Sequence, residues 1–157
     1  MKTTLKSLLL VAMAFALAWF GWAPLALAQS ARVDTVSNKN FEATVKQVET
    51  ALKSKGMMVV AIIDHQNQMR MVGANVKGSK TIEFGNADMG KMLFAADPGA
   101  VLEMPGKLYV YERADGKTVV SYHRPSAGFA AYGKEALTKI GQMMDMTVGE
   151  VVAEATK

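Results

Sequence analysis

Lys107–His123 reads KLYVYERADGKTVVSYH, and this stretch decides the fold class. Leu108 and Val110 alternate with Tyr109 and Tyr111, and Val119, Val120 and Tyr122 follow in a second β-rich run. Between the runs lies Ala114-Asp115-Gly116-Lys117. An Asp-Gly pair flanked by strand residues marks a tight antiparallel hairpin. Pro105-Gly106 and Arg124-Pro125 punctuate its two outer ends.

Working outward, Arg32–Ser37 alternates as a first strand. Phe41, Val45, Val48 and Leu52 form one helical stripe, with Asn40 placed to cap it and Gly56 to stop it. Met57–Ile63 is a continuous apolar run, the pattern of a buried strand in the middle of a sheet. A short helix at Gln66–Val72, a strand at Thr81–Phe84 and a helix at Asp88–Ala95 follow. After the hairpin, Lys134–Met144 reads as a helix, and Thr147-Val-Gly-Glu150 as the capping box of a last one. Strands first interleaved with helices and then paired in a hairpin predict an α+β domain. Its helices lie on one face of a mixed or antiparallel sheet.

The N-terminus carries a different message. Lys2 and Lys6 precede an uncharged apolar run from Leu8 to Phe20, and Ala26-Leu27-Ala28 fits a signal-peptidase site. Residues 1–28 are thus expected to be an export signal, and 29–157 one periplasmic or secreted domain without stable membrane insertion. Removing Lys2 and Lys6 lowers the formal charge of +4 by two, and no basic cluster remains, which argues against nucleic acid. Cysteine is absent, which excludes thiol catalysis and thiolate metal sites.

The residues now on the page resemble the DUF302 family of small bacterial and archaeal domains. The resemblance rests on the apolar strand into Asp64-His65, on Phe84-Gly85-Asn86, on Leu102-Glu103-Met104-Pro105, and on Val120-Ser121-Tyr122 before Pro125. It implies a TBP-like fold, a curved and mostly antiparallel sheet with helices on one face, and a homodimer. It implies no established activity.

His65 and His123 are the only histidines, and each follows a predicted strand, as does Asn86. If those strand ends share one rim, Asp64, His65, Asn86, Tyr122 and His123 form a polar cluster able to bind a small ligand. Asp64 and Asn86 are equally good turn residues. The methionines fall in close groups, Met57-Met58, Met69-x-Met71, Met89-x-x-Met92 and Met143-Met144-x-Met146. These are adaptable core filler, or they are soft ligands for copper, with His65, His123, Met69 and Met71 as candidates. Tyr109 and Tyr111 share a face, for packing or for a dimer contact. No Gly-x-Ser-x-Gly elbow supports Ser121 or Ser126 as a nucleophile, and Asp64 and His65 need a bend to cooperate. The leading expectation is a non-catalytic binding or interaction domain, without a cofactor. A copper-handling protein is the alternative, and a small hydrolase or isomerase a weaker one.

Overall fold

The structure, a computed structural model, describes residues 31–157, and Arg32–Lys157 forms one compact unit. The export-signal reading of residues 1–28 lies outside the described residues. In chain order the elements are β1 (Arg32–Val36), α1 (Phe41–Ser54), β2 (Met58–Asp64), α2 (His65–Met71), β3 (Ser79–Gly85) and α3 (Ala87–Ala96). A 3₁₀ turn (Pro98–Glu103), β4 (Gly106–Glu112), β5 (Thr118–His123), α4 (Pro125–Ala130) and α5 (Glu135–Thr156) complete it. The five strands form one antiparallel sheet in the order β1-β5-β4-β3-β2, which makes an α+β fold.

Local chemistry explains the best-defined elements. Asn40 caps α1 by accepting from the Ala43 amide at 2.9 Å, and the chain leaves the helix through Gly56 at φ 71°. In the hairpin Asp115 accepts from the Lys117 amide at 3.1 Å, and Gly116 supplies φ 81°. The β4–β5 register then pairs Glu112 with Thr118 and Tyr109 with Ser121.

Strand alternation decides what each face carries. Ile82, Phe84, Leu108, Val110 and Val120 point to the side where α1, α3 and α5 pack, and join Val48, Leu52, Leu93, Leu137 and Val151 in one core. Val119 is also buried but stands outside that core, on the opposite face. Among the described residues only α2 approaches that second face, at one corner.

Three expectations need correction. The apolar run does form a strand, but β2 is an edge and not the middle of the sheet. Met58, Val60 and Ile62 are 60%, 61% and 42% exposed. A bulge at Val60 shifts its register against β3. Thr147 starts no new helix. Its hydroxyl donates to the Met143 carbonyl at 3.2 Å inside the 22-residue α5, a bond that interior threonines make. The short helix begins one residue early, so His65 is its first residue, with Asp64 as its cap.

Candidate functional site

In an antiparallel sheet successive strands end at opposite rims. We call the rim where β2 ends upper and the one where β3 ends lower. Asp64 and His65 are therefore upper, and Asn86, Tyr122 and His123 lower. The register puts His65 and His123 three strand spacings and about four residues apart, roughly 20 Å. The expected cluster of five is not brought together, because strand C-termini share a rim only when strands run parallel.

Four of the five have local work. Asp64 accepts from the Asn67 amide at 2.8 Å and lies 3.7 Å from the Lys80 ammonium. Lys80 also reaches Glu42 at 3.6 Å and sits 5.6 Å over the Phe41 ring, all on the helix-covered side. His65 turns to the other face. Its Nε2 meets the Thr81 hydroxyl at 2.7 Å, and its ring stands edge-on to Tyr109 at 6.0 Å. Asp64 and His65 thus serve opposite faces. Asn86 caps α3, accepting from Asp88 and Met89 at 2.9 and 3.2 Å, and donates to the Gly56 carbonyl at 2.9 Å. Tyr122 packs against the core, and burial raises its hydroxyl above the ordinary value. His123 is exposed opposite Arg32.

The copper candidates do not converge either. His65 and Met69 are one turn apart on α2, Met71 projects from another side of that helix, and His123 is at the far rim. The methionine groups split between interior and surface. Met57, Met89 and Met144 are buried while Met58, Met92 and Met146 are exposed. Among the described residues no three His, Asp or Glu side chains are grouped to hold a metal.

What the fold does assemble is a polar and aromatic strip across the sheet face opposite α1, α3 and α5. Tyr109 and Tyr111 stack at 4.9 Å with planes 12° apart. The Tyr109 hydroxyl meets the Ser79 hydroxyl at 2.8 Å. Beyond β5, Ser121 donates to Asp34, and Arg32 Nε donates to the same carboxylate at 2.9 Å. The Ser121 bond, then the Arg32 bond, hold the Asp34 carboxyl below its ordinary value. Sequence reasoning missed Arg32, Asp34, Ser79 and Thr81, and weighed Ser121 only as a nucleophile. Their signal was the alternation of polar with apolar residues in the outer strands, and it needed the strand order to be read.

The upper rim also holds an open groove of about 360 Å³ lined by Asn40, Phe41, Glu42, Gln66, Gly78 and Glu112. Glu112 accepts from the Gly78 amide at 2.9 Å. Ser121 is bonded to Asp34 and Ser126 to Asp145, with no imidazole on either hydroxyl.

The family described as "Domain of unknown function DUF302" matches residues 33–155. A solved structure, that of an uncharacterized conserved DUF302 protein from Bacillus stearothermophilus, is similar with a TM-score of 0.74. The likeness covers 80% of this chain and 98% of that one at 16% sequence identity, which shows a shared fold. No curated protein matches the chain.

Proposed function

The chain belongs to the DUF302 family, and from that premise we propose an exported, non-catalytic binding domain that works as a homodimer and takes its ligand on the sheet face opposite α1, α3 and α5. One observation carries this reading: the stacked Tyr109–Tyr111 pair, bounded by His65 on one side and the Arg32–Asp34–Ser121 network on the other. The stacked rings make a rigid apolar wall with an outer ring face at each end, and the flanking groups supply donors and acceptors at its border. A small planar ligand with polar edges suits that combination. The two serines that could act as nucleophiles hold carboxylates instead, Ser121 on Asp34 and Ser126 on Asp145, and this supports binding over turnover.

The test is native mass spectrometry of protein purified from its own compartment, wild type against Tyr109→Ala/Tyr111→Ala. A small molecule carried by the wild type and absent from the variant supports the reading; identical spectra, both free of ligand, end it. Titration with Cu(I) addresses the copper alternative, which needs tight binding that His65→Ala and Met69→Leu weaken. A hydrolase screen with His65→Ala and His123→Ala addresses the enzymatic one.

A further inference from the structure

The two margins of the sheet are unlike. β1 carries Arg32 and Asp34, charges of the kind that keep an edge strand from pairing. β2 exposes Met58, Val60 and Ile62, and its one charge, Asp64, stands at its end. Apart from the bulge at Val60, such a margin is a template for another strand.

The helix above that margin carries a matching pattern. Glu42, Lys46, Glu49 and Lys53 recur on α1 at helical spacing and form a single stripe of alternating charge. The opposite flank of α1 faces α5. Thr44 bonds Ser37 beside the end of α5, where the Asn38 amide donates to the Thr156 carbonyl, and Lys55 pairs with Glu150 of α5. The stripe therefore lies on the β2 side, where Glu42 already reaches Lys80 of β3. Lys46, Glu49 and Lys53 enter no ion pair among the described residues.

We propose that a second copy of this chain docks on the β2 margin, strand β2 pairing antiparallel with its own copy to give one continuous ten-stranded sheet. This rests on the homodimer reading above and names its surface. The order of the charges selects the occupant. A two-fold axis beside the middle of β2 reverses the stripe, so Glu42 faces the partner's Lys53 and Lys46 faces the partner's Glu49. A stripe in this order complements itself when reversed by the axis, with all four charges paired in the centred register, whereas an unrelated strand would have no reason to match it. Ile62, turned to the helix side of β2, is covered between the two α1 helices.

Sedimentation equilibrium and a cysteine cross-link test this together. Lys46→Glu sets two acidic pairs across the axis and is expected to weaken the dimer about tenfold; Lys46→Glu/Glu49→Lys, which restores opposite signs, is expected to recover it. Because the chain has no cysteine, Ala61→Cys near the axis should oxidise readily to a disulfide-linked dimer. Thr35→Cys on β1 should not. A dimer indifferent to Lys46→Glu that fails to cross-link at Ala61 overturns the β2 surface and leaves the homodimer standing. A wild-type chain that is monomeric at high micromolar concentration overturns both.

Discussion

Gly78 shows how tightly single positions can be specified. A Cβ there would lie 2.7 Å from both the Phe41 ring and the Glu112 carboxylate. Phe41 is buried and cannot retreat, so Gly78→Ala is expected to destabilise by about 1–3 kcal/mol in urea unfolding. At Asp34 the expected signature is electrostatic. Its carboxyl is lowered from 3.8 by the Ser121 hydroxyl first, so Ser121→Ala should move the NMR-detected titration upward. Since the folded-state value is the lower one, the stabilisation from this carboxylate is present above pH 3.8 and is lost as pH falls through the lowered value. Residue-level signals such as the Asn40 cap and the Gly56 stop were legible because they act within a few residues of the chain. The partners of His65 were not, since Thr81 and Tyr109 come from β3 and β4, and only the strand order brings them there.

Among the elements, α4 and α5 depend on each other. The first turn of α4 has no cap from its own leading residue, Arg124. Asp145 of α5 serves instead, accepting from the Ser126 amide at 3.0 Å and from its hydroxyl. Asp145→Ala is expected to cost about 1–2 kcal/mol and to raise hydrogen exchange in α4 first. Gly141 sits where the two helices meet, and a Cβ there would lie 2.7 Å from the Ser126 backbone. Gly141→Ala should therefore force the helices apart and lower the unfolding midpoint, with far-UV dichroism unchanged in shape. The sequence pattern showed α5 as two helices because Thr-x-x-Glu resembles a capping box wherever it occurs. Only the buried faces of Met144 and Val148, on either side of Thr147, show that the helix runs through. The hairpin was legible for the opposite reason: Asp115-Gly116 enforces its geometry locally, whatever packs around it.

For the whole molecule, fold class was readable and strand order was not. A seven-residue apolar run fits a central strand and fits equally an edge that awaits a neighbour, and β2 is the second kind here. The polar cluster failed on the same point, because antiparallel order sends alternate strand ends to opposite rims. The closing contact of the fold ties the turn after β1 to the last turn of α5: the Asn38 amide donates to the Thr156 carbonyl, and Ala155 beside it is fully buried. Deleting residues 154–157 is expected to destabilise the domain by about 2 kcal/mol, measured by thermal unfolding, although the sheet itself is untouched.

That contact also assigns the molecule a direction of travel. β1 starts beside His123 and climbs one strand length, about 17 Å, before meeting the C-terminal turn of α5. From Arg32 onward the chain thus starts at one pole and ends at the other. A fluorophore on Arg32→Cys would report on the His123 pole, and one on Lys157→Cys on the His65 pole.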